Sequence, residues 1–438
     1  MSQVAWSTPS RDPLSRPYRE AAIRSPRPAV RRVRVGLLGC GRIGQAVVWT
    51  AQAERDRLAA AGVELTFVRA LVRDLGKPRQ AAVPVLDAPD RFAVDDLDVV
   101  IEVLGGLEPA LSIVARALVA GVAVVTANKT LVAHHGEELD RLARQHAAVL
   151  AYDAAVLAGV PFLGSLARRP LLSGAHGLAG IVNGTSHAIT TALEAGAPFD
   201  AALADAVRRG YAEPDSAADI SGRDAAEKLT ILLRLAGVGG VRVASVPTIG
   251  IDTLTSDDFC AARALGGTIK PVALARLDDD QPGTWVGPAF VDRTHPLGRT
   301  TGVTNVLQIS GAAGRHALDV PDVIFEGPGA GPSATAATII DDVIEALDAR
   351  PARRPAAARP ACDVSQPTVG PWFVRLTRAG EVGSPLAVLT DAGLSIVRAD
   401  PATTAVLTGP TTGRAVDRLA ALARARGWAI VAFPACLS

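Results

Sequence analysis

The run Val33-Arg34-Val35-Gly36-Leu37-Leu38 passes straight into Gly39-Cys40-Gly41-Arg42-Ile43-Gly44, and a helical pattern through Ala46, Val47 and Val48 follows at once. A strand, glycines at this spacing and a helix leave few ways to fold. Glycine permits the tight turn and lets backbone approach a pyrophosphate, whose charge then rests on the free N–H groups of the helix N-terminus. The chain therefore reads as α/β, opening on a Rossmann-type parallel sheet, with Gly39, Gly41, Arg42, Ile43 and Gly44 against a dinucleotide.

Further strands are expected at 65–72, 97–104, 122–125 and 148–152, giving a dinucleotide-binding domain over residues 33–152. Ligands of such sheets bind beyond the carboxyl ends of the strands, where Gly105, Gly106, Thr126 and Lys129 fall. Gly105, Thr126 and Lys129 are cofactor-binding candidates, and Lys129 can reach the nicotinamide side. The second strand ends at Arg73 with Lys77 close behind; cations there suit a 2′-phosphate and favour NADP, while the adjoining Asp74 keeps NAD open.

The densest chemistry lies in Gly210-Tyr211-Ala212-Glu213-Pro214-Asp215 and the following Asp219, Ser221, Asp224 and Lys228. Ser221 with Asp224 three residues on predicts a helix N-cap, with the helix running to Leu235. Asp224 and Lys228 are then i, i+4 neighbours on one face. Lys228 flanks the apolar stripe Ala225, Leu229, Leu232, Ala236, so desolvation would lower its pKa and suit it to proton transfer. A solvated helix start with an ordinary ion pair would look similar. Of 45 lysines and arginines, however, only Lys77, Lys129, Lys228 and Lys270 are lysine. A chain that uses arginine for its surface keeps lysine where a guanidinium, which cannot give up its proton, would not serve.

From about residue 153 to 331 longer helices mix with strands, implying an α+β substrate and dimerisation domain. Gly180 to His187 reads as a strand ending at a helix N-terminus, where the N–H groups of Gly184 and Thr185 can receive a carboxylate; His187 is expected to pack or cap. Gly327-Pro328-Gly329-Ala330-Gly331 precedes a helix within 332–348 that returns to the first domain and brings Gly331 near the cofactor. Residues 349–370 read as a linker, and 371–438 as strand, helix, strand, strand, helix, strand, a small α+β module. Residues 1–32, rich in arginine and proline, read as a disordered basic tail. Around Asp153, small residues leave backbone carbonyls free for a hard monovalent cation, although loop packing explains them equally. A net charge of +1 gives no sign of nucleic acid or an anionic membrane, and the most apolar stretch, 99–125, is interrupted by Glu102, Glu108 and Arg116. Scattered cysteines fit a reducing cytosol.

The order of these motifs resembles homoserine dehydrogenase: GLLGCGRIG at 36–44, VVIEVLGGLEPA at 99–110, VVTANK at 124–129, IVNGTS at 181–186, GYAEPDSAADISGRDAAEKL at 210–229 and GPGAG at 327–331. The resemblance implies reversible hydride transfer between a nicotinamide cofactor and L-homoserine, giving L-aspartate 4-semialdehyde, in threonine and methionine biosynthesis. It makes Lys228 the proton donor and acceptor, with Lys129 beside cofactor and substrate, and Glu213, Asp219 and Asp224 holding the ammonium or orienting the lysine. It adds Tyr211 beside the substrate, Gly210 beside the cofactor, and a sodium ion on Asp153, Val156, Ala158 and Val160. It further implies a homodimer or homotetramer, and an ACT-like fold for the last module. The chain departs from the family pattern at Asp153, Leu157 and His187, and in the effector loop 379–385. A paralogue acting on a related amino-acid aldehyde and a silent NADPH-binding sensor are the alternatives.

Overall fold

The computed structural model describes residues 30–160, 175–213, 215–277, 282–311, 322–329, 331–348, 363–377 and 385–436. The expected tail up to residue 29, most of the linker (349–362) and nearly all of the effector loop (378–384) lie outside the described residues.

Six parallel strands, β1 (Arg31–Leu38), β2 (Val63–Leu71), β3 (Val85–Leu86), β4 (Val99–Glu102), β5 (Ala123–Thr126) and β6 (Leu150–Ala151), form one sheet in the order β3-β2-β1-β4-β5-β6. Every residue of β4 and β5 is buried, as a parallel sheet covered on both faces requires. On one face Ala46 and Val47 of the Arg42–Ala53 helix, with Ala336, Ile339 and Val343 of the Pro332–Asp348 helix, pack on Val35, Leu37 and Ile101. The opposite face is covered by Ile113 and Val114 of the Ala110–Val119 helix and Leu131 and Val132 of the Lys129–Gln145 helix. The tail is shorter than the sequence suggests, because Arg31 and Arg32 already pair with Val63 and Glu64. Strand β4 is shorter than 97–104, since Gly105 and Gly106 turn away at φ +73° and +76°.

The second sheet is mixed, and among the described residues its order is β11-β10-β7-β8-β9-β15-β12-β14-β13. Its strands are β7 (Gly177–Ile181), β8 (Gly267–Arg276), β9 (Gly283–Asp292), β10 (Thr304–Ser310), β11 (Val323–Pro328), β12 (Trp372–Thr377), β13 (Ile396–Asp400), β14 (Ala405–Thr408) and β15 (Ala429–Cys436). The last four, with helices Pro385–Asp391 and Gly413–Ala425, run in the order βαββαβ. Strand β15 pairs in parallel with β9 through Ala435↔Phe290 and Cys436↔Val291, so one sheet runs through both units. Phe290 stacks on Phe373 at 6.0 Å and Phe373 on Phe433 at 4.9 Å across the join.

The two sheets meet through a pair of helices. Leu131, Val132 and Leu139 of the Lys129–Gln145 helix share one apolar core with Leu229, Leu232 and Leu233 of the Arg223–Leu235 helix. Gly136 lies under the Arg234 guanidinium, which donates to Val132 O at 2.7 Å; a Cβ on Gly136 would fall 2.0 Å from that guanidinium nitrogen. This packing sets Lys129 opposite Lys228.

A buried ion pair ties the last module to the middle of the chain. Arg375 of β12 donates from Nε to Asp258 Oδ1 at 2.8 Å, and Asp258 closes a capping box with Thr255 on the Ser256–Ala264 helix. Asp258 is fully buried, so Arg375→Ala leaves a carboxylate without its cation and is expected to cost about 3–5 kcal/mol. Calorimetry showing an unchanged melting temperature would remove the pair from the set of contacts that hold the module in place.

Candidate active site

The site is assembled from two helix starts facing each other. Lys129 is the first residue of the Lys129–Gln145 helix, whose N-cap Asn128 accepts from Leu131 N–H at 3.1 Å. The Asn128 amide also donates to Gly106 O at 2.7 Å, so the cap and the β4 loop are fixed together. Beneath them lies Glu102, wholly buried at the end of β4. It accepts from Thr126 Oγ1 at 2.6 Å and from Leu104 N–H at 2.8 Å. Burial raises the Glu102 pKa, and these donors oppose the shift. Its role is to hold the strand-end loops that carry Gly105, Thr126 and Lys129. The sequence marked Glu102 only as an interruption of an apolar stretch.

The opposing helix does not start as expected. Ser221 closes the short Ala217–Ile220 helix, and Gly222, left-handed at φ +82°, is the N-cap of Arg223–Leu235. An L side chain would strain that conformation. Asp224 thus does no capping and turns inward with its side chain 3% exposed. Its Oδ1 meets Lys129 Nζ at 2.6 Å and its Oδ2 meets Lys228 Nζ at 2.8 Å. Lys228 donates also to Val182 O at 2.7 Å. An ammonium has three donors, so one is left for an oxygen in the cavity.

Asn183, the N-cap of the Gly184–Glu194 helix, completes the cluster. Its Oδ1 accepts from Ser186 N–H, while Nδ2 donates to Asp219 Oδ1 and to Asp224 Oδ2, both at 2.7 Å. One amide thereby joins a helix N-terminus to both carboxylates. The motif IVNGTS contained it, but neither partner is nearby in the chain.

Burial would raise the Asp224 carboxyl, yet Lys228 and Lys129 hold it well below the usual carboxylate range. Burial pulls the Lys129 ammonium down, and Asp224, with Glu227 and Asp219 behind it, more than offsets that and leaves it raised. Asp219 is pushed up by burial, against the Asn183 hydrogen bond and with the charge of Asp224 adding to the rise. At neutral pH the centre therefore holds Asp224 ionised and Lys129 protonated.

A cavity of about 360 Å³ opens on this cluster, lined by Lys129, Asn183, Gly184, Thr185, Gly210, Tyr211, Asp219, Asp224, Lys228, Asn305, Gly329 and Gly331 among others. Most of the residues expected around substrate and catalysis are thus brought together. Thr185 donates from Oγ1 to Tyr211 O at 2.5 Å, fixing the loop over the cavity. Glu213 is exposed two residues beyond Tyr211 and is not among the lining residues. His187 is buried as expected, with its ring nitrogens at 2.9 Å from Thr304 O and 3.2 Å from Thr300 O. Burial, with the Lys270 charge, lowers it to about 4.

On the sheet side each glycine of the fingerprint has its own reason. Gly39 turns at φ +100°, with Val103 O 2.8 Å from where a Cβ would sit. A Cβ on Gly44 would fall 2.1 Å from Gly39 O, so the helix start packs directly on the turn. At Gly41, the helix N-cap, a Cβ would meet nothing within 4 Å. That open side, flanked by Arg42 and Ile43, is where a pyrophosphate fits the free N–H groups. Arg73 and Lys77 are exposed beyond β2, whereas Asp74 accepts from Gly76 N–H at 2.8 Å within its own turn. In the expected cation loop, Ala158 O accepts from the Thr338 hydroxyl and Val160 N–H donates to Leu157 O at 2.7 Å. Asp153 N–H donates to Asp342 Oδ2 at 3.0 Å. Among the described residues no three His, Cys, Asp or Glu side chains gather as metal ligands.

A 3-2-1-4-5-6 parallel sheet beside a cavity with two lysines on one buried carboxylate defines a dehydrogenase of the nicotinamide-dinucleotide class. Comparison narrows it. The family model for homoserine dehydrogenase matches residues 161–344, and that for the homoserine dehydrogenase NAD binding domain matches 39–153. Homoserine dehydrogenase of Bacillus subtilis is 34% identical over 324 residues, 73% of each chain. The crystal structure of a homoserine dehydrogenase from Thiobacillus denitrificans superposes with a TM-score of 0.84 at 30% identity, covering 93% of this chain and 99% of that one. A hyperthermophilic archaeal homoserine dehydrogenase in complex with NADPH aligns with a TM-score of 0.59 at 25% identity, over 72% of this chain and 98% of that one. The chain belongs to the homoserine dehydrogenase family.

Asp224 also predicts a pH dependence. Its folded pKa lies below the unfolded value of about 3.9, so its contribution to stability is complete above that value and is lost as pH falls through the folded one. The melting temperature of the wild type is therefore expected to fall between about pH 5 and pH 3 more steeply than that of Asp224→Asn. Parallel curves would mean that the carboxylate is not held ionised by the lysines.

Proposed function

We propose that this chain interconverts L-homoserine and L-aspartate 4-semialdehyde with NADP, Lys228 moving the proton at the substrate oxygen. The observation that carries the proposal is the Lys129–Asp224–Lys228 bridge at the cavity wall. The bound nicotinamide supplies or accepts the hydride at the alcohol carbon. Lys228 Nζ, with one donor left after Asp224 and Val182, hydrogen-bonds the carbonyl oxygen and gives it a proton as negative charge develops there. In the reverse direction the same nitrogen takes the hydroxyl proton. Lys129 adds a second positive charge near that oxygen. Asp219 holds the substrate ammonium, with Glu213 acting from the rim, and the N–H groups of Gly184 and Thr185 receive the carboxylate. Tyr211 closes over the substrate, while Gly105, Thr126, Gly210 and Gly331 border the nicotinamide half of the cofactor.

Two features support NADP. Arg73 and Lys77 stand exposed at the end of β2 where the 2′-phosphate would lie, and one oxygen of Asp74 is engaged by Gly76 N–H within its own turn. The NADPH-bound archaeal relative agrees. A cation at Asp153, Val156, Ala158 and Val160 has no part in the proposal, because no step needs one. A homodimer or homotetramer, a cytoplasmic setting, and roles in threonine and methionine biosynthesis belong to the same proposal.

With L-homoserine and NADP, reduced cofactor is expected to accumulate, followed by its absorbance. Lys228→Ala is expected to lose about 10²- to 10⁴-fold in kcat while NADPH binding, followed by fluorescence, holds. Turnover near wild type in that variant would take Lys228 out of the mechanism. Arg73→Ser is expected to lower the preference for NADPH over NADH in kcat/KM by about tenfold or more. An unchanged ratio would move the phosphate contact elsewhere.

A further inference from the structure

Asn305 of β10 lines the cavity at 1% exposure, and its buried amide oxygen has no hydrogen-bond donor among the described residues. Buried amide groups are nearly always paired, so an orphaned one at a cavity wall points to a ligand. Asn305 pairs with Gly327 in the β10–β11 ladder through its backbone, and the chain then folds back over the side chain. A Cβ on Gly329 would fall 2.0 Å from Asn305 Nδ2 and 2.7 Å from its Oδ1, so Gly329 lies directly against that amide. On its other side, Oδ1 lies 3.7 Å from where a Cβ on Gly184 would sit, beside the start of the Gly184–Glu194 helix.

An amide oxygen only accepts, which separates the groups it can serve. A substrate carboxylate has no proton to give it. The reacting oxygen has Lys228 and Lys129. The substrate ammonium carries three donors, and Asp219, whose Oδ1 is already engaged by Asn183, with Glu213 at the rim leaves one of them to be met. We propose that Asn305 Oδ1 accepts a hydrogen bond from the substrate ammonium and so helps select an α-amino alcohol, an assignment that rests on the homoserine reading above. The residue is a binding and specificity group and takes no part in the proton transfer.

The test is steady-state kinetics with L-homoserine and NADP, with NADPH affinity by fluorescence as the check on folding, for wild type, Asn305→Leu and Asn305→Asp. Leu keeps the approximate size and removes the acceptor. It is expected to raise the KM for L-homoserine by about tenfold or more, with a much smaller change in kcat and in NADPH affinity. Asp keeps an acceptor at the same place and is expected to recover most of that loss. An unchanged KM in Asn305→Leu, or a KM in Asn305→Asp worse than in the Leu variant, overturns the assignment; the second result would set the amide on the carboxylate. Loss of NADPH binding in both variants would overturn it too, making Asn305 a support of the fold. A wild type inert toward L-homoserine would instead sink the functional reading on which the assignment stands.

Discussion

One buried carboxylate has to be neutralised from two directions, and much of the structure follows from that need. Asp224 sits in the interior with an oxygen toward each of two lysines, 2.6 Å to Lys129 and 2.8 Å to Lys228. A charge in that setting is tolerable only when paired and hydrogen-bonded. Lys228 comes from the helix that carries Asp224. Lys129 comes from the dinucleotide-binding domain. The ion cluster therefore closes only when the two domains are docked, and docking places a cation from each at the cavity proposed for the substrate.

The rest of the scaffold keeps those two cations in register. On one side Glu102 and Asn128 fix the strand-end loops and the first turn of the Lys129 helix. On the other, Asn183 ties a helix N-terminus to Asp219 and Asp224. Shared apolar packing between the two helices, with Arg234 over Gly136, sets their spacing. Catalytic groups held by such secondary contacts need little reorganisation when charge develops on the substrate, which is where rate enhancement by preorganised dipoles arises.

What could be read from the sequence was whatever depends on neighbours in the chain. The glycine fingerprint was legible because each glycine answers a constraint within a few residues, and the Asp224–Lys228 pair because a helix brings i and i+4 together. The helix start at 221 was misread: Ser221 and Asp224 fit a capping pattern, but Gly222 supplies a left-handed turn that frees Asp224 to point inward. Glu102 and Asn183 were missed as functional, since their partners are tens of residues away and nothing local distinguishes a buried carboxylate from a break in an apolar run. The succession of strands and helices along the last module could be read from alternation. Its fusion to the middle sheet through β15 and β9 could not, because that pairing joins residues far apart in the chain.

In the proposed mechanism Asp224 makes no contact with the reacting atoms and is the group through which Lys129 and Lys228 act as a unit. A double-mutant cycle on kcat/KM for L-homoserine, using Lys129→Ala, Asp224→Asn and the pair together, tests this most directly. Strong coupling is expected, with the double variant losing about as much as the worse single one. Losses that multiply would mean that the lysine and the carboxylate contribute independently, and would contradict the account.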